Sequence, residues 1–440
     1  MNRQTFACMV ALNLAGALGV PVQVAAQAPQ AQPTTIQYFL INLGAPLGGN
    51  PSLASSVNDR SWVAGGATTA DSTEHAVLWL GSALDLGTLG GPNSNIAWPN
   101  PNNRGELAGI AETAKQDPYQ ENWSCSGFFP AITHNICLGF VWQWGNMTAL
   151  PTLGGNNGYA AGINDWGQVV GWAENKTHDP TCAPPQVLQF EAVIWGPEPG
   201  RLQQLPPLHG DPDSAATAIN DSGQVVGISG TCDNAIGEFS ARHALLWESG
   251  KPIDLGNFGG VAWNTPTAIN NQGEVVGFAD LPGDQDGGLN PIAFLWTRQH
   301  GIQKLRPYPG DANSLAWGIN MRGQAVGQSI DASGNSRAVI WQDGEPIDLN
   351  ALLPADSPLY LTLANDINDR GEIAGQACVV AAGVCGAEAF AVLLIPTHAT
   401  EAGITVLAPS ATSSRTVVLG ESVRRQTLQR VGVSHLGGTR

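Results

Sequence analysis

Six cysteines are the first residues with evident chemistry. The chain holds seven, and Cys8 falls in an apolar leader, leaving Cys125, Cys137, Cys182, Cys232, Cys378 and Cys385. An even set beyond a leader favours disulfides. Locality pairs Cys125 with Cys137 and Cys378 with Cys385, each within one loop. Cys182 and Cys232 would then join equivalent loops of neighbouring repeats. Zinc is disfavoured, because no CxxC pair occurs with a histidine at ligand spacing. Asp280, Asp284 and Asp286 have a spacing that would suit calcium, but the segment lacks the closing Glu of a calcium loop. A cluster of aromatics and imidazoles, Tyr119, Trp123, Phe128, Phe129, His134, His178 and Phe239, offers stacking faces and polar edges for a sugar or peptide. No nucleophile elbow, phosphate loop or zincin motif is present, so no catalytic residue is assigned. A carboxylate pair for glycoside hydrolysis is defined by separation in space, which sequence does not report.

The bulk properties narrow the partners. The formal net charge is -17, and the four lysines (Lys115, Lys176, Lys251, Lys304) are scattered. That argues against nucleic acid and anionic membrane surfaces as partners. Residues 1–26 read as a signal peptide: Arg3 precedes an apolar run from Phe6 to Val24, and Ala25 and Ala26 suit cleavage. The run is too short and too rich in small residues to anchor in a membrane. The expected location is therefore secreted or periplasmic, with a flexible lead-in at 27–35. Neither membrane insertion nor a bound cofactor is expected beyond the calcium candidate, and the chain reads as a monomer.

These residues are carried by a repeat. The phrase Ile-Asn-Asp-x-Gly-Gln-Val-Val-Gly is clearest at 163–171 and 219–227. Its anchoring asparagines are Asn58, Asn102, Asn164, Asn220, Asn270, Asn320 and Asn368. An Ala-hydrophobic-hydrophobic-Trp phrase follows, ending at Trp79, Trp142, Trp195, Trp247, Trp296 and Trp341. After a polar turn comes Leu-Asp-Leu-Gly or a weaker copy. Asn-Asp-x-Gly suits a hairpin turn, since Asn and Asp bond local backbone and Gly takes positive φ. Four short strands per unit, seven times over, predict an all-β, seven-bladed β-propeller over 36–396.

The ends bear on closure. The seventh unit stops near Pro396 without a fourth-strand phrase, and that phrase stands instead at Phe39–Gly44. The amino-terminal strand is thus expected to complete the last blade. Residues 397–440 carry no repeat phrase and read as a disordered tail or short appendage.

The phrases Ile-Asn-Asp-x-Gly-Gln-Val-Val-Gly, His-Ala-x-Leu-Trp and Leu-Gly-Thr-Leu-Gly-Gly resemble the bacterial extracellular HAF-repeat proteins. The resemblance covers roughly residues 36–396. The eponymous His is present only as His75 and His243. The family implies export and repeat architecture, and lends no catalytic residues.

Function must come from what the blades present. Linkers between second and third strands are long in units two to five: 110–137, 172–190, 228–242 and 278–291. They carry all seven of the aromatic and histidine candidates, and Asp284. Insertions on one face often mark the binding face of a repeat protein. The first reading is a binding or scaffold protein presenting these loops to an extracellular glycan or protein. The alternatives are a hydrolase or lyase acting on polysaccharide, and a structural envelope protein without a specific ligand.

Overall fold

The computed structural model describes residues 37–99, 102–121, 123–198, 200–232, 240–283, 290–397, 417–420 and 423–424. The expected signal peptide and lead-in lie outside them, as do Phe239, Asp284 and Asp286. Only the backbone of Trp123 is described.

Seven antiparallel four-stranded sheets make a seven-bladed β-propeller. Blade four shows the pattern: Asp213–Ile219, Val225–Gly230, Ala241–Glu248 and Lys251–Asp254. Its first two strands are buried throughout, while the fourth is not. Each blade packs its faces against neighbours, so inner strands read as small and apolar runs without strict alternation. Helix is limited to short pieces among the described residues, including Trp123–Phe128 in the blade-two insertion.

The strand-three tryptophans are packing residues. Trp195, Trp247 and Trp341 are buried. Their Nε1 groups donate to Pro151, Pro206 and Arg306 carbonyls, at the exit of the preceding blade. The His of the resemblance is a cross-strand partner: His75 Nδ1 meets Asp85, and His243 Nδ1 meets Asp254 at 3.0 Å. In blade six the same place holds Arg337, paired with Asp348.

The asparagine of every repeat does two jobs. Within its own turn, Asn220 Oδ1 accepts from Ser222 N and Gln224 N, and Gly223 has φ of 74°. Its Nδ2 then reaches out of the blade to the Asn270 carbonyl, at 3.0 Å. The same bond joins Asn58 to Asn102, Asn102 to Asn164, Asn164 to Asn220, Asn270 to Asn320 and Asn320 to Asn368. Asn368 returns to the Asn58 carbonyl at 2.9 Å, so the belt is circular. A second belt lies beside it, in which the next side chain accepts a backbone N–H from the blade before, as Asp165 N donates to Asp221 Oδ1. Met321 interrupts this second belt, offering no side-chain acceptor to Asn271 N.

Gln37–Gly44 pairs antiparallel with Val384–Thr397, from Gln37↔Thr397 to Gly44↔Ala391. The early strand is therefore the fourth strand of blade seven, as its phrase predicted. Tyr38 is buried there with Leu361, Val392 and Leu394. Part of the expected loose tail is placed as well. Val418 and Leu419 pair in parallel with Val384 and Cys385, and Leu419 N donates to Asn335 Oδ1 of blade six. Val417, Leu419 and Val423 are buried beside the Cys378–Cys385 bridge. Burial of these apolar side chains offsets the entropy of ordering a terminus, which composition alone did not reveal.

Three expectations follow. Asn220→Ala removes a buried latch and two turn bonds, and should cost about 2–3 kcal/mol in denaturant unfolding. Met321→Asn should instead add the missing acceptor and stabilise by roughly 0.5–1.5 kcal/mol; no gain would mean the second belt is ornamental. Deleting residues 36–47 should sharply lower the melting temperature, whereas an unchanged curve would show that the seam holds without that strand.

Candidate functional site

The long loops and the blade-to-blade connections share one end of the propeller, here called the upper end. The asparagine turns ring the lower end. All three bridges form in the expected pairing: Cys125–Cys137, Cys182–Cys232 and Cys378–Cys385. The second links the loop of blade three to that of blade four across 50 residues. Such a cross-link stabilises by about 2–4 kcal/mol through the unfolded state. Three disulfides indicate an oxidising compartment. Among the described residues no helix is long and apolar enough to cross a membrane.

A carboxylate hub sits beneath these loops. Asp117 and Glu121 come from the blade-two insertion, and Glu174 from the second strand of blade three. One oxygen from each lies within 4.8 Å of the others. That spacing could hold a cation, but the centre is filled. Asn157 Nδ2 donates to Asp117 Oδ2 at 2.7 Å and to Glu121 and Glu174 at 3.3 Å. Further donors saturate the rim: Val187 N and Leu188 N to Glu121, and Asn156 N, Asn157 N and Gln186 Nε2 to Glu174. The hub is a hydrogen-bonded tie between two loops. Burial, then repulsion from Glu121, pushes Glu174 up to about 8. Beside it, burial and a hydrogen bond shared with Asp179 push Asp213 up to about 9. The Oδ2 atoms of both acids meet no other donor, so one proton holds the pair together at neutral pH.

Between these loops and the axis lies a cleft of about 190 Å³. Leu53, Asn95, Trp317 and Asn365 reach it from the inner strands, Glu74 from blade one, and Phe128 and Phe129 from the blade-two insertion. Local irregularity creates it. Each inner strand but that of blade two has a register shift before its terminal apolar residue. Thr217 and Thr267 occupy the shift and donate to the next blade, at the Pro266 and Ala316 carbonyls. Blade six has Trp317 there, a side chain far too large to act as a latch, and it packs at the axis. In blade two, Pro99 cannot donate to a ladder. The strand ends at Asn95, and Trp98 packs edge-on to Trp317, ring centres 5.9 Å apart. Phe278 and Trp263 extend this aromatic cluster.

The expected aromatic site divides. Phe128 and Phe129 line the cleft, and Phe128 lies 4.9 Å from the Tyr159 ring. Tyr119 and His178 stack edge-on with each other at 5.6 Å, without lining it. His134 bonds the Gln120 carbonyl. Asp280 is buried and accepts from Asn290 N. Glu74, Asn95, Trp98, Trp317, Asn365 and Gln376 were not foreseen. Their signal was a break in the repeat: the prolines after Trp98, and a Trp where other blades have small residues.

The lower mouth is a second cavity, of about 270 Å³. Asp59, Asn103, Asp165, Asp221, Asn271 and Asp369 rim it over a floor of isoleucines, so the belts themselves form its wall. Asp366 stands at the seam between blades seven and one, accepting from Ser56 Oγ and Val57 N. Burial pushes it up to about 7.

No protein-family model matches the chain, nor does any curated protein sequence. Solved propellers are similar in fold. The β-propeller domain of the Trilobed protease from Pyrococcus furiosus is 10% identical, with 78% of this chain and 89% of that chain covered and a TM-score of 0.46. Virginiamycin B lyase from Staphylococcus aureus is 11% identical, covering 82% and 100%, TM-score 0.44. Acylaminoacyl peptidase from Pyrococcus horikoshii is 10% identical over 77% of this chain, TM-score 0.43, and this chain spans only 52% of it. Likeness at this level says nothing of activity.

The raised acids set a pH dependence. A carboxyl whose folded pKa exceeds its unfolded value near 4 stabilises most at low pH, and that stability is lost as pH rises through the folded value. For Asp366, Glu174 and Asp213 the loss begins near pH 4 and is complete only above about pH 7, 8 and 9 respectively. The melting temperature should therefore fall by several degrees from pH 6 to pH 9.5. Asp213→Asn, whose amide can donate to Asp179 as the protonated acid does, should flatten the upper part of that fall. A flat wild-type profile would remove the shared-proton account.

Proposed function

We propose that this chain is an exported binding protein whose upper axial cleft takes the end of an extracellular glycan. The observation that carries the reading is the cleft itself, where Trp98, Trp317, Phe128 and Phe129 stand beside Glu74, Asn95, Asn365 and Gln376. Flat aromatic faces beside amides and a carboxylate suit the apolar face and hydroxyl edge of a sugar ring. The volume suits one or two ring units. Two disulfides and the carboxylate hub fix the loops above it, which favours a ready-made site over a mobile lid.

Binding is favoured over hydrolysis by the lining. Glycoside hydrolysis uses two carboxylates flanking the bond. Glu74 is the single acid among the described residues lining this cleft. Export is supported by the leader read at 1–26 and by the three bridges.

A glycan array probed with the protein, followed by tryptophan fluorescence titration, tests the reading. Saturable quenching is expected with at least one saccharide class. Trp317→Ala should weaken it tenfold or more while the melting temperature stays within the folded range. Absence of any saccharide binding at millimolar concentration would defeat the proposal.

A further inference from the structure

Among the described side chains, two tryptophans are left exposed, Trp144 at 73% and Trp166 at 57%. Both lie at the lower end, on adjacent blades. Trp144 sits in the turn between the third and fourth strands of blade two, and Trp166 in the asparagine turn of blade three. The repeat supplies a control for each. Turns matching that of Trp144 hold Ser249 in blade four and Asp343 in blade six, each followed by glycine. Trp144, Ser249 and Asp343 have φ of 51°, 50° and 52°, a region that suits Asp and is unfavourable for a bulky aromatic. The place of Trp166 is taken by Arg60, Arg104, Ser222, Gln272, Arg322 and Arg370 in the other six blades. A polar residue therefore satisfies the turn at either place. Burial does not account for the indoles, since both remain more than half exposed.

Glu106 links the two places. Gln143 Nε2, beside Trp144, donates to Glu106 Oε1 at 3.2 Å. From blade three, a Cβ added to Gly167 would lie 3.3 Å from Glu106 Oε2. Trp166 is also held still. Its Nε1 donates to the Asp221 carbonyl at 3.0 Å, and Arg104 Cζ stands 5.4 Å from its ring centre. An exposed indole fixed in this way gives up little freedom on binding. Arg104, Gln143 and Glu106 add hydrogen-bond donors and acceptors around the rings.

We infer that Trp144 and Trp166 form a second, side-on platform for a neutral polysaccharide chain. Three features set that class. Indoles separated by polar groups suit successive sugar rings of one chain, whereas a protein interface is built around a contiguous apolar patch. The surface is made of open turns and not of a pocket, so a chain can run past in both directions. Asp165 and Asp221 on the adjoining rim, with Glu106 itself, repel a polyanion. The platform shares no residue with the upper axial cleft and stands whether or not that cleft takes a glycan end.

Electrophoresis of the protein through native gels containing hydroxyethylcellulose, galactomannan, laminarin or polygalacturonate tests the platform. Retardation is expected in at least one neutral polymer. Trp144→Ser and Trp166→Ser each install the residue that blade four carries at that place, so the fold should hold, which a melting curve verifies. Each should raise the dissociation constant read from the retardation about tenfold, and the double variant should run as in a plain gel. That loss would uphold the inference even if the cleft bound no saccharide. Retardation lost in Trp317→Ala and kept in the double serine variant would overturn the inference and leave the glycan reading of the cleft standing. No retardation in any neutral polymer, or retardation in polygalacturonate alone, would overturn it as well. Size-exclusion chromatography covers another occupant: a dimer that the double variant converts to monomer would make this face a contact between two copies and sink the platform.

Discussion

A buried asparagine amide with every hydrogen-bonding position engaged is the interaction on which the ring depends. Asn220 accepts twice on Oδ1 inside its turn, donates once to Gln224 Oε1 and once to the next blade. Asn164, Asn270, Asn320 and Asn368 repeat the arrangement with Gln168, Glu274, Gln324 and Glu372. This is why Gln or Glu follows the turn glycine in the repeat phrase. No shorter or longer side chain closes the turn and spans the gap between blades at once. A buried polar group left half-satisfied is costly, so the belt also specifies the distance between neighbouring blades.

Much of the architecture was legible because it is local and repeated. The Asn-Asp-x-Gly turns, the strand-three tryptophans and the displaced phrase at Phe39–Gly44 each mark a structural position, and seven copies average out noise. The bridges followed from loop locality once the blades were counted. The partnership between blades was not legible, since Asn220 and Asn270 lie 50 residues apart and nothing in either phrase names the other. The axial cleft was hidden for the opposite reason. It arises where the repeat fails, at Trp98 with Pro99 and at Trp317, and a search for regularity passes over such places. Phe128 and Phe129 were legible as loop aromatics; that they face the axis while Tyr119 and His178 do not is decided by the short helix of the insertion.

The charge of the chain takes on a definite form in three dimensions. Acids are gathered at three sites: the lower rim, the hub under the loops, and the pair Asp179 and Asp213. None of these is balanced by lysine or arginine in the bonds described. Backbone N–H groups, amides and retained protons perform that task instead. Stiffness at the upper end thus comes from neutral donors and covalent bridges.

The pairing of Gln37–Gly44 with the final blade has a consequence for how the molecule comes into being. Bonds across the seam join residues up to 360 positions apart, as from Thr397 Oγ1 to the Gln37 carbonyl. Completion of the circle must therefore be a late event in biogenesis, waiting for the last repeat to emerge. Until then the edge of Val384–Thr397 is an unsatisfied template, open to a strand from another molecule. Holding the nascent polypeptide unfolded until synthesis ends would guard against that error.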